Sequence, residues 1–119
     1  MISQEKANQV AHEWIEAWNA HDLDAITGHY AAEVVFTSPF VVKLLGDPSG
    51  TVRGKERLRS YFAKGLAAYP DLKFELLGVL TGMESLVVYY RSVKSMLAAE
   101  VMFFDKQGKI ERVMAHYHG

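Results

Sequence analysis

Near the start of the chain the apolar residues Ala7, Val10, Ala11, Trp14, Ile15 and Trp18 recur at spacings of three and four, which lays them along one side of a helix. Ser3 stands where an N-cap belongs, and Glu5 puts negative charge in the first turn, where the helix dipole favours it. The run Asn19-Ala20-His21-Asp22 breaks the pattern, and Asp22 then caps a short second helix with Leu23, Ile26 and Tyr30 on its inner side. From Val34 to Phe40, β-branched and aromatic residues predict a short strand. Pro39 lacks the N–H a ladder needs, so it places that strand at an edge or ends it. Val41–Arg53 carries Gly46, Pro48, Ser49 and Gly50 and reads as a thirteen-residue loop, long enough for a lid over a binding site. After Gly54 a third helix presents Leu58, Tyr61, Phe62, Leu66 and Tyr69 on one stripe, and Pro70 stops it.

The remaining sequence changes period. Leu72–Leu80, Ser85–Ser92, Met96–Phe104 and Lys109–Tyr117 are strand-like runs with short connections, hence antiparallel neighbours. Helices first and a meander of strands afterwards predict an α+β fold, with three N-terminal helices packed on one face of a curved, mainly antiparallel sheet. The runs LLGVL, LVVYY and VMFF are apolar on both faces, whereas a sheet with one wet face alternates. The helices cover one face. A second copy of the chain is the economical cover for the other, so a homodimer through the back of the sheet is expected.

Composition narrows the function classes. A length of 119 residues fits one domain, residues 1–119. Thirteen basic and fourteen acidic residues leave a net charge of −1, without the basic face that nucleic-acid binding needs. No apolar run approaches membrane-spanning length, and Met1–Ala11 is too polar for a signal peptide, so a cytoplasmic protein without membrane contact is expected. The absence of cysteine excludes disulfides, thiolate metal sites and a cysteine nucleophile. His116 and His118 share one strand face, but no third ligand stands at a metal-site spacing. Neither metal nor cofactor is expected.

Several segments resemble a known family. Trp14-Ile15-Glu16-Ala17-Trp18-Asn19-Ala20-His21-Asp22-Leu23-Asp24-Ala25-Ile26 is similar to the first two helices of the NTF2-like superfamily, in its ketosteroid-isomerase and SnoaL-like polyketide-cyclase branch. Tyr30–Phe36 followed by Ser38-Pro39, then Arg53-Gly54-Lys55-Glu56 and Gly108-Lys109-Ile110, resemble later segments of that branch in the same order. The resemblance implies a cone-shaped fold whose helices lie in the hollow of a bent sheet, with an apolar cavity between them. It says less about activity, because this scaffold hosts isomerases, cyclases and non-enzymatic binders.

In the isomerase branch a carboxylate base moves a proton while a tyrosine and a protonated aspartic acid hold the enolate oxygen. The resemblance puts Ser38 at the position of the base, and a serine hydroxyl cannot act as a carboxylate. It puts Trp14 at the tyrosine on helix one and Glu100 at the aspartic acid. Tyr30 matches a second tyrosine. Ordinary steroid isomerisation is therefore not expected. Glu100 is the only charge in Leu97–Phe104, so its carboxyl should be paired or protonated. The alignment turns Tyr89, Arg91, Glu100, Met102 and Tyr117 into the cavity, with Arg91 as partner of Glu100. Glu100, Tyr30, Ser38 and Tyr89 are then the candidate catalytic groups. Trp14, Trp18, Phe36, Phe40, Phe62, Arg91, Met102 and Tyr117 are the candidate contacts to a small apolar organic ligand. His116 falls on the back of the sheet in this phase, and a bulge would turn it inward. Two classes stay open: a SnoaL-like cyclase or isomerase doing proton transfer, and a non-catalytic hydrophobic-ligand-binding or dimerisation module.

Overall fold

Ser3 is extended and its hydroxyl accepts the Lys6 N–H at 3.1 Å, opening helix α1 (Gln4–Asn19). In the computed structural model, which describes residues 1–119, α1 buries Ala7, Ala11, Trp14, Ile15 and Trp18, the stripe that the spacing predicts. Its end is tied down: the Asn19 side chain donates to the Phe74 carbonyl at 2.9 Å and accepts the Phe74 N–H. Asp22 caps α2 (Leu23–Thr27) through the Ala25 N–H. Tyr30, expected on the inner side of that helix, instead opens strand β1 (Tyr30–Thr37), because the helix ends at Thr27 with Gly28 as its cap.

The loop expected over Val41–Arg53 is largely ordered into two elements. The expected strand stops at Thr37, and helix α3 (Pro39–Leu45) starts at once. Ser38 is extended, with its hydroxyl accepting the Phe40 N–H at 3.1 Å, and Pro39 takes the first helical position. There its missing N–H costs nothing and its fixed φ suits the helix. Gly46, left-handed at φ 68°, ends α3. Strand β2 (Thr51–Arg53) then pairs antiparallel with β1, Val52 opposite Phe36. The expected three helices are thus four, the last being α4 (Lys55–Ala68), which buries Leu58, Tyr61 and Phe62.

Strands β3 (Glu75–Thr81), β4 (Ser85–Arg91), β5 (Leu97–Phe104) and β6 (Ile110–His118) complete a six-stranded sheet in the order β2-β1-β6-β5-β4-β3. All its pairs are antiparallel except β1 with β6. The fold is α+β, with four helices packed against a curved, unclosed mixed sheet. No helix is long and apolar enough to cross a membrane.

Register decides which residues meet. Val88 lies opposite Glu100 and Glu100 opposite Ala115, while Tyr90, Ala98 and Tyr117 form the next row. Cross-strand partners point to the same side. Leu86, Val88, Tyr90, Ala98, Glu100, Met102, Val113 and Ala115 are all buried and form the inner face. The alternate residues Val87, Tyr89, Ala99, Val101, Met114 and His116 form the outer face, where no element of this chain covers them.

Candidate functional site

The inner face and the helices enclose a pocket of about 60 Å³ bounded mainly by aromatic rings. Helix α1 supplies Trp14 and Trp18, β1 supplies Phe36, α3 supplies Phe40, α4 supplies Tyr61 and Phe62, and the sheet supplies Tyr90, Glu100 and Tyr117. Helical spacing of four puts the two indoles on one face in an edge-on arrangement, with ring centroids 6.1 Å apart. On the sheet the small residues matter as much as the large ones. Ala98 lies between Tyr90 and Tyr117, and Ala115 lies beside Glu100, which leaves room for the phenols and the carboxyl to converge.

Glu100 is the chemical centre of this space. It is 3% exposed, and its Oε1 accepts the Tyr90 hydroxyl at 2.9 Å. Its other oxygen, Oε2, has no partner. Removal from water penalises the charged form and pushes the carboxyl up to about 7, against a smaller downward pull from the Tyr90 hydrogen bond. Near neutral pH both its ionised and its protonated forms are therefore populated. Burial, reinforced by the negative charge of Glu100, raises the phenols of Tyr90, Tyr117 and Tyr61, so all three stay protonated and serve as donors. The Ser38 hydroxyl stands close enough to Tyr61 and Tyr117 to oppose part of that rise.

The other expected residues divide clearly. Tyr30 is fully buried and raised by burial, and its hydroxyl accepts the Trp14 indole N–H at 3.0 Å, behind the pocket wall. Ser38 is buried, and its hydroxyl accepts the α3 cap bond and stands beside Tyr61 and Tyr117. Met102 shares the inner face with Glu100 but lies in the packed core outside the pocket lining.

Tyr89 and Arg91 correct the expected phase of β4. Both lie on the outer face, and Tyr90 takes the inward position. Arg91 meets Glu75 at 3.7 Å and donates to the Ser95 carbonyl at 3.0 Å, so it does not pair with Glu100. Glu75 and Arg91 are register partners across β3 and β4, which holds that pair on the outer side. His116, opposite Ala99, is exposed on the same outer face. Among the lining residues not anticipated are Tyr90 and, from the segment before β3, Leu72 and Phe74. The signal for Tyr90 is its place two residues on from Val88, the register partner of Glu100, which requires the register and not the composition.

One side of the pocket is closed by α3. The Phe40 ring packs edge-on against Tyr117 with centroids 4.7 Å apart, and Lys43 lies 5.5 Å over Phe40 with its amine 3.4 Å from the Tyr69 hydroxyl. A volume of about 60 Å³ holds a few waters, whereas a cavity that takes up benzene is about 150 Å³. A ring-sized guest therefore requires Phe40 or a neighbouring ring to move. No group of histidines and carboxylates in the chain is arranged to hold a metal ion.

Comparison with known proteins fits this architecture. The chain matches the model of the SnoaL-like domain over residues 11–118. It is similar to a SnoaL-like protein of unknown function from Burkholderia thailandensis, at 45% identity and a TM-score of 0.96, covering 99% of this chain and 98% of that one. A candidate isomerase of the SnoaL-like family from Agrobacterium tumefaciens shares the fold at 14% identity and a TM-score of 0.79, over 98% and 100% of the two chains. An NTF2-like protein of unknown function from Cytophaga hutchinsonii does so at 16% identity and a TM-score of 0.73, over 99% and 95%. No curated protein matches the sequence. With the family model spanning nearly the whole chain and the NTF2-like fold beneath it, this protein belongs to the SnoaL-like family.

Proposed function

We propose that this protein binds a small, largely apolar organic molecule in the aromatic pocket and moves a proton on it through Glu100. The observation that carries the reading is the carboxyl itself: buried, held on one oxygen by Tyr90, free on the other, and raised to about 7. A structural carboxylate would be fully paired, because an unsatisfied buried acceptor costs about 1–3 kcal/mol. Polar groups that converge in an apolar pocket, one of them with a shifted pKa, are the usual mark of a site.

The reaction class is isomerisation of a carbonyl compound. Oε2 of ionised Glu100 takes a proton from the carbon next to the carbonyl, and that C–H electron pair becomes the enolate. The Tyr117 or Tyr61 phenol donates a hydrogen bond to the enolate oxygen. On a β,γ-unsaturated carbonyl compound Glu100 then returns a proton, its own or one exchanged with solvent, to the first carbon or to the far end of the dienolate, so nothing is oxidised or lost. Ser38 has no part as a base here, and Tyr90 fills the orienting role first expected of Tyr89. Phe40 on α3 must swing aside to admit a ring.

The test is proton exchange in D2O on 3-cyclohexen-1-one, followed by NMR. The wild type should put deuterium next to the carbonyl and shift the double bond, and Glu100→Gln should lower that rate by about 10²-fold or more with the fold intact by circular dichroism. Equal rates in the two proteins would remove Glu100 from any chemistry.

The small pocket volume favours a second reading, a dimerisation module whose hollow is filled by its own side chains. Both readings use the outer sheet face. Leu80, Val87, Val101 and Met114 form a continuous apolar row across four strands, suited to a second copy of the chain. Light scattering should give twice the chain mass, and Val101→Glu should give the monomer mass. A monomeric wild type at tens of micromolar would end the dimer reading.

A further inference from the structure

The chain buries two side-chain polar atoms without a partner, Glu100 Oε2 and the indole Nε1 of Trp18, and both residues line the same pocket. Trp18 is 7% exposed and packs its ring against Phe62 and Phe74, at centroid distances of 4.8 and 5.5 Å. Its neighbour one turn earlier is treated differently: Trp14 donates its indole N–H to Tyr30. Phenylalanine at position 18 would keep the aromatic packing without burying a donor. An indole N–H donates and cannot accept, so what satisfies it must carry a lone pair. Every ring around it is otherwise committed to aromatic packing.

We infer that Trp18 is a specificity-determining residue of the pocket, and that the ligand carries two oxygen functions. One is a hydroxyl that donates to Oε2 of Glu100. The other is an acceptor oxygen that takes the Trp18 indole N–H, and an apolar ring or short chain joins the two. Hydroxylated cyclic or aromatic ketones are that class. This rests on the pocket being the ligand site, as proposed above, and adds a selection rule to it. A molecule with a single oxygen satisfies one orphan and leaves the other buried, so the pocket discriminates by hydrogen bonding where its aromatic walls discriminate little.

The experiment follows the two indole N–H signals of 15N-labelled protein by NMR, with Trp18→Phe identifying the Trp18 signal by its loss. The probes are 4-hydroxyacetophenone, which has a donor and an acceptor at opposite ends, and phenol, which has one oxygen. On saturation with 4-hydroxyacetophenone the Trp18 signal should move downfield, while phenol leaves it in place. Trp18→Phe should weaken 4-hydroxyacetophenone by about tenfold, one good hydrogen bond, and leave phenol unchanged. An unmoved Trp18 signal at saturation, or equal loss for both probes, overturns the inference and leaves the pocket reading standing. A Trp18 signal that moves in Glu100→Gln with undiminished affinity supports the Trp18 role and removes Glu100 from recognition. If neither probe binds the wild type at millimolar concentration, the inference falls together with the pocket reading. The wild-type signal needs no variant to fold.

Discussion

Tyr89 and Tyr90 are adjacent in the chain and identical in chemistry, yet the sheet gives them opposite roles. Tyr90 is 1% exposed and holds the carboxyl of Glu100, whereas Tyr89 is 38% exposed on the far side among Val87, Ala99 and His116. The same contrast runs through the whole sheet. The inner face is buried under the aromatic rings of the helices with a single acid in it, and the outer face carries aliphatic side chains, Tyr89 and His116 with no element over them. Polar groups are costly inside and ordinary outside, so a hydroxyl on the inner face acquires a defined partner. The lesson is that one residue of strand phase separates a chemical group from a contact surface.

The largest effect should come from removing an inner ring. Trp14 packs between Phe74 and Tyr90, with centroids 5.8 and 5.2 Å away, and also supplies the hydrogen bond to Tyr30. Trp14→Ala should cost about 3–5 kcal/mol in urea unfolding, and a loss under about 1 kcal/mol would erase the contrast between the faces.

The acid comes next. Glu100 sits at about 7 in the fold against an ordinary 4.5, so the native state holds a proton that the unfolded chain gives up. Its contribution is present in full below pH 4.5, falls away as pH rises toward 7, and is gone above that. The whole swing is about 3 kcal/mol. Glu100→Gln should flatten stability over that window, and a wild-type curve that is already flat would place the carboxyl in water.

The paired tyrosines give the finest comparison. Tyr90→Phe strips Glu100 of its only hydrogen bond, should cost about 1–3 kcal/mol, and should raise the carboxyl further. Tyr89→Phe should change stability by no more than about 0.5 kcal/mol. Equal effects from the two would mean that the strand phase assigned to β4 is wrong.

Local chemistry was the legible part. Ser3 and Asp22 cap helices as their side chains require, and the α1 stripe is the buried one, because capping and helical periodicity depend on near neighbours in sequence. Glu100 was visible as the lone charge in an apolar strand, and Trp14, Trp18 and Phe62 as members of helical stripes. Pro39 is expected to put its strand at an edge or to end it, and β1 does stop at Thr37, yet the helix that follows is hidden in the sequence. Proline and a serine cap serve a helix start as well as a turn, and α3 is too short to show a periodic stripe.

The phase of β4 was hidden for a different reason. Leu86-Val87-Val88-Tyr89-Tyr90 has no polar alternation, so either set of residues could face the core with nearly the same hydrophobic gain. The choice falls to pairing: Val88 aligns with Glu100, Tyr90 follows onto the inner face, and Arg91 goes out to Glu75. The sequence alone determined the helices α1, α2 and α4, the four strands β3 to β6, where α1 and α2 begin, and that one carboxyl would stand in an apolar strand. Only the tertiary structure decided which tyrosine meets that carboxyl and which indole is left with an unpartnered donor. The first outcome depends on the register of β4 on β5 and on which face of that pair the helices cover, and the second on how α1 packs against α4 and the segment before β3.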